Sequence, residues 1–143
     1  MITEAIKKNF KRAKERGWNK TFWFVDIHET MIVPNYRYGD IPKEFYPWVK
    51  ETMQILSKRE DVCLIMYTCS WPEEIAQYLE YFESNGIKFE YVNENPEVKS
   101  SGYGCYDKKP YINVLLDDKA GFDPEKDWKE LLDYLLSEDD QKD

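Results

Sequence analysis

What this chain has least of is imidazole: His28 is the sole histidine among 143 residues. The cysteines are few as well, and Cys63, Cys69 and Cys105 show no paired short spacing. One histidine and three scattered thiols do not make a zinc pattern. An odd cysteine count without a secretion signal points to reduced thiols in a cytosolic setting. Cys63 lies in an apolar run and reads as core filler. A thiol nucleophile at Cys69 would need a base, and only His28 is on offer. No apolar run approaches the roughly 18 residues that span a bilayer, and the amino terminus lacks the apolar core of a signal peptide. Positive charge is also short. Lys and Arg number 20 against 28 Asp and Glu, for a net charge of -8. An acidic chain does not draw in a phosphate backbone over long range, so general nucleic-acid binding is disfavoured. The one basic run, Lys7, Lys8, Lys11, Arg12, Lys14 and Arg16, reads as the solvated face of a helix.

What is present is globular. Hydrophobic residues make up 42% and aromatics 16% of the sequence, a composition that folds. The length fits a single domain, 1–143, able to hide roughly two-thirds of its unfolded surface. Repeats, low-complexity tracts and linkers are absent.

The pattern alternates strand and helix. Residues 3–16 place Ala5, Ile6, Phe10 and Ala13 at near-helical spacing, so an amino-terminal helix fills the 1–18 region. Thr21 to Val25 is a continuous aromatic and β-branched run, as suits a strand buried on both faces, and it stops at Asp26. Residues 31–41, with Pro34, Asn35, Gly39 and Asp40, read as a loop. Pro42 is expected to open a helix through Phe45, Trp48, Val49, Met53 and Leu56. Val62 to Tyr67 is a second buried strand ending at Thr68. Pro72-Glu73-Glu74 makes a good first helical turn, and that helix runs to Gly86. Lys88 to Val92 is a third strand, 93–110 a long loop, and Tyr111 to Leu116 a fourth strand ending at Asp117-Asp118. A last helix covers roughly Pro124 to Leu136, and the acidic tail at 137–143 is expected to fray.

Strands alternating with helices predict an α/β fold: a three-layer, Rossmann-like arrangement with a central, mainly parallel sheet of four or more strands and helices on both faces. In such sheets ligands bind beyond the carboxyl ends of the strands. Three strands end there in polar groups: Asp26 with His28 and Thr30, Thr68 with Ser70, and Asp117 with Asp118. Carboxylates gathered at one crevice repel one another unless a cation sits among them. Oxygen donors suit magnesium, the usual companion of a phosphate substrate. An Asp can then act as the nucleophile and form an aspartyl-phosphate, with a hydroxyl, backbone N–H groups and a lysine meeting the developing charge.

These residues, in this order, resemble the motifs of the haloacid dehalogenase superfamily, and of a small capless phosphatase-like branch of it. Asp26-Ile27-His28-Glu29-Thr30 stands for that family's Asp-x-Asp-x-Thr after an apolar strand. Thr68-Cys69-Ser70 ends the second strand. Lys109-Pro110 precedes the fourth strand, and Asp117-Asp118 follows it. The resemblance spans 21–123. It implies a magnesium-dependent phosphomonoesterase without a cap domain, since only a loop, a helix and a strand fit between Thr30 and Thr68. By resemblance Asp26 is the nucleophile and a metal ligand, and the His28 carbonyl is another ligand. Thr68 holds phosphoryl oxygens, and Lys109 neutralises charge, with Lys108 its rival. Asp118, with Asp117, completes the magnesium site. Thr30, Cys69, Ser70 and Arg37 are expected around the phosphorylated substrate, and Asp123 is a weaker outer-shell candidate. His28 is the departure, because the family's hydrolases carry a second Asp there. An imidazole is a competent acid and base near neutral pH. The exchange also fits a catalytically impaired descendant that binds magnesium and a phosphate-like anion or a protein partner. Ligation through the imidazole is a third option.

Overall fold

The computed structural model describes residues 2–141, with side chains described through 138. Strands β1 (Thr21–Asp26), β2 (Val62–Tyr67), β3 (Tyr91–Val92) and β4 (Val114–Leu116) form one sheet in the order β3-β2-β1-β4. Every pairing is parallel, and β1 runs beside β2 from Thr21 opposite Val62 to Asp26 opposite Tyr67. Helices α1 (Ile2–Arg16), α2 (Val49–Lys58), α3 (Pro72–Ser84) and α4 (Asp127–Gln141) flank it. The fold is α/β and consistent with the expected Rossmann-like three-layer arrangement.

The layers follow from the handedness of parallel crossovers. From β1 to β2 to β3 the chain steps in one direction, so right-handed crossovers carry α2 and α3 to the same side. Residues from all four helices join Trp23, Val25, Leu64, Met66, Val114 and Leu116 in one buried cluster there. The step from β3 to β4 goes back past β2 and β1, and the same handedness sends it across the opposite face. This connection carries no helix among the described residues. Its Val98, Tyr111 and Ile112 pack on Phe22, Phe24, Cys63 and Ile65, so a loop forms the third layer on this face where a helix was expected. Between β1 and β4 the winding reverses, and that switch point opens a crevice at the carboxyl edge.

Element boundaries moved where tertiary pairing outweighed local preference. Residues 42–48 are not helical. Their backbone turns back on the loop after β1, with Val33 N–H donating to Glu44 O (2.8 Å) and Tyr46 N–H to Met31 O (3.0 Å). The chain then passes through left-handed Trp48 (φ 72°) before α2 starts. Only Tyr91 and Val92 of the expected third strand pair with β2, although Ile87 and Phe89 are buried. α3 ends as expected, with Gly86 at φ 76° and Ile87 N–H closing on Phe82 O at 2.9 Å. α4 starts three residues late, because Asp123 and Asp127 close a turn through Asp123 N–H to Asp127 Oδ2 at 2.7 Å. It continues past Leu136 to Gln141, and 142–143 of the expected frayed tail lie outside the described residues. The basic residues of α1 are exposed, as expected. Among the described residues no helix is long and apolar enough to cross a membrane, and Cys63, Cys69 and Cys105 are free thiols.

Candidate metal and phosphoryl site

Asp26 is the last residue of β1, and Asp117-Asp118 follow β4 directly, so the parallel register of the two strands delivers all three carboxylates to the switch-point crevice. One oxygen from each lies within 4.8 Å of the others. The loop after β1 builds the other wall. Ile27 O accepts from Met31 N–H (2.8 Å) and Ile32 N–H (2.9 Å), and Glu29 takes the left-handed region at φ 61°. This tight turn buries Thr30 completely and aims its hydroxyl at the carboxylates. Thr30 Oγ1 lies 3.0 Å from Asp26 Oδ2 and 3.2 Å from Asp118 Oδ1, and accepts from Asp118 N–H at 3.0 Å. Its single hydrogen serves one carboxylate at a time. From behind, the Trp128 indole N–H donates to Thr30 O at 2.7 Å, tying α4 to the turn.

The electrostatics follow from half-burial and crowding. Burial first, then the hydrogen bond with Asp118, raises the Asp26 carboxyl to about 7, while Thr30 opposes the rise. Asp118 moves the other way. Burial opposes its ionisation, but hydrogen bonds from Asp26 and Thr30 outweigh this and lower it. The two titrate as one unit sharing a proton. That proton does what a cation would do, which is to relieve repulsion between facing carboxylates. The donor set fits magnesium on its own terms: it is all hard oxygen, with no thiol or imidazole in the group. In addition, no donor among the described residues reaches the His28 carbonyl.

The His28 ring stands apart from the carboxylates. Its Nε2 lies 2.6 Å from the Tyr78 hydroxyl on α3, with the rings edge-on at 5.5 Å. Burial lowers its pKa, against the pull of Glu74 and Glu29, so the ring is neutral at pH 7. Tyr78 is itself buried and its hydroxyl is pushed up by burial. The two residues lie 50 apart in the chain, and nothing in the sequence signals their partnership.

Thr68 and Ser70 sit together past β2, their hydroxyls 2.8 Å apart, with Thr68 Oγ1 also accepting from Ser70 N–H at 3.2 Å. Asn93, left-handed at φ 57°, clamps this turn. Its Oδ1 accepts from Thr68 N–H and its Nδ2 donates to Thr68 O, each at 2.8 Å. Cys69 is exposed. Lys108 and Lys109 are both exposed on the loop before β4, lining a cavity on the loop-covered face and not the carboxylate group. Arg37 is exposed on the loop 31–41, where Tyr36 donates to Glu29 (2.6 Å) and Tyr38 to Glu73 (3.2 Å), so this loop rims the crevice. Asp123 is engaged in the turn before α4. No domain is inserted over the crevice among the described residues.

No family model and no curated protein sequence matches the chain. Among solved structures it is similar to a conserved protein coded by a locus of Bacteroides thetaiotaomicron, with a TM-score of 0.62 at 23% identity, over 84% of this chain and 93% of that one. At that identity the likeness shows the fold alone.

Proposed function

We propose that this chain is a magnesium-dependent phosphohydrolase of the haloacid dehalogenase type, acting through an aspartyl-phosphate on Asp26. The observation that supports it most is the meeting of Asp26, Asp117 and Asp118 at the switch point of a parallel sheet. Asp26, Asp118 and Asp117 would hold the ion together with the His28 carbonyl. Magnesium there supplies charge neutralisation, letting an anionic phosphate approach a carboxylate nucleophile. The Asp26 oxygen not held by Thr30 attacks phosphorus, and the bond from phosphorus to the ester oxygen breaks. The Thr68 hydroxyl and the backbone of its turn, braced by Asn93, receive the phosphoryl oxygens. Water then attacks phosphorus, releasing inorganic phosphate and restoring the Asp26 carboxylate.

The weak point is proton delivery. A neutral His28 whose Nε2 is held by Tyr78 is poorly set to protonate a leaving alkoxide. The reading therefore favours substrates whose leaving group needs no acid, such as aryl or acyl phosphates. The same contact favours a second reading, in which the chain binds magnesium and a phosphate-like anion with little turnover. Magnesium-dependent release of p-nitrophenol from its phosphate separates them. Activity lost in Asp26→Asn supports the hydrolase. An inert wild type with an active His28→Asp variant supports the impaired descendant. Activity that survives Asp26→Asn overturns the nucleophile.

A further inference from the structure

Strand alternation ties the carboxylate crevice to a second feature. Phe22, Phe24 and Asp26 project to one face of β1, and Leu115 and Asp117 continue that face on β4. Phe24 and Leu115 floor an open cavity of about 980 Å³ beneath the β3–β4 connection. One strand repeat, roughly 6–7 Å, separates that floor from the carboxylates. Tyr67, opposite Asp26 in the sheet register and 43% exposed, lines the same cavity and packs on Phe24 with ring centroids 5.2 Å apart. Tyr106 adds a second ring to the lining. Lys99, Lys108 and Lys109 line the same cavity, and none of them makes an ion pair among the described residues. They outnumber the lining carboxylates Glu94 and Asp107, the latter already accepting from Ser100 at 3.1 Å. In a chain of net charge -8 this local excess of cations stands out.

We propose that this cavity binds the body of an aromatic, multiply anionic phosphate ester of nucleotide size. The ring lies against Tyr67 and Tyr106, a further anionic group meets the lysines, and the reacting phosphate reaches the carboxylate crevice. The volume falls within the range of small-molecule sites, and aromatic faces with nearby cations suit a planar anionic ligand. The inference names the substrate class for the phosphohydrolase reading and rests on it for the fate of the phosphate, but the binding stands on the cavity alone.

Calorimetric titration of the full chain, in EDTA and in magnesium, with a nucleoside 3′,5′-bisphosphate and glycerol 3-phosphate as probes, tests it. A nucleotide should bind at least tenfold tighter than the aliphatic phosphate, in wild type and in Asp26→Asn alike. Binding should weaken at least tenfold in the double variant Lys99→Glu, Lys108→Glu, whose side chains are exposed and leave the core untouched. An azido-nucleotide should photo-crosslink within 93–112 or at Tyr67. Equal affinity for the two probes, indifference to the lysine reversals, no nucleotide binding at all, or crosslinks confined elsewhere would each overturn the proposal. Failure of the phosphohydrolase reading shows separately, as absent hydrolysis of the small aryl phosphate with nucleotide binding intact.

Discussion

Removing the Asp26 charge should stabilise the metal-free protein at alkaline pH. The Asp26 carboxyl titrates at about 7 in the folded chain against 3.8 for an ordinary Asp. Between those values the folded state holds a proton that the unfolded state has released, so stability falls as pH rises. This contribution is fully present below the unfolded pKa and is lost as pH passes through about 7. The full shift corresponds to about 4 kcal/mol. Asp26 is only half-buried, and Asp118 moves in the opposite sense, so about 2 kcal/mol is the figure to expect after solvent screening. Asn keeps the shape and cannot ionise. In EDTA, thermal melts followed by circular dichroism should therefore find wild type and Asp26→Asn converging towards pH 4, with about two-fifths of the eventual gap already open at pH 5. At pH 8 the variant should melt roughly 5–8 °C higher. Magnesium at about ten times its dissociation constant should restore about 1.4 kcal/mol to wild type and nothing to the variant. An Asp26→Asn chain that melts at or below the wild-type temperature at pH 8 in EDTA would refute the idea that the crevice stores repulsion.

Other consequences can be measured independently. Thr30→Val deletes a buried hydroxyl that serves two carboxylates and one amide, and should cost about 1–3 kcal/mol in urea unfolding; a loss within error of zero argues against that network. As the sole histidine, His28 gives one set of imidazole resonances, and its NMR titration midpoint should fall below the ordinary value of 6.5; a midpoint above that value removes the case for a neutral ring. Asn93→Ala loses both bonds to Thr68 and forces alanine into the left-handed region, for about 2–3 kcal/mol. Asn93→Gly should recover about 1 kcal/mol of this, and equal costs for the two variants would mean that strain plays no part.

Features set by local or strand-end chemistry were legible in the sequence. β1 and β2 stand out because continuous apolar runs of that length suit strands buried on both faces. Asp26, Asp117 and Asp118 could be grouped because parallel strands end at one edge, whatever packs around them. Features set by distant pairing were not legible. Pro42 has the chemistry of a helix start, yet the backbone at Glu44 and Tyr46 bonds to the loop after β1. The loop 93–110 has no periodicity to place it, so Lys109 could not be read onto the cavity wall. The His28–Tyr78 contact depends on how α3 lies against the β1 turn, which side-chain identity does not announce.

The position of β4 also bears on the order of assembly. β1 is one of the two inner strands, and its pairing with β2, from Thr21 opposite Val62, closes the shorter of its two crossovers. Its other neighbour arrives much later: Thr30 and Asp118 meet across 88 residues, and closing so long a loop comes late in folding. The three carboxylates therefore come together only after the apolar layers on β1 and β2 are in place. The chain nucleates without the repulsion of its own site and meets it last, when a cation or a shared proton can be taken up in the same step.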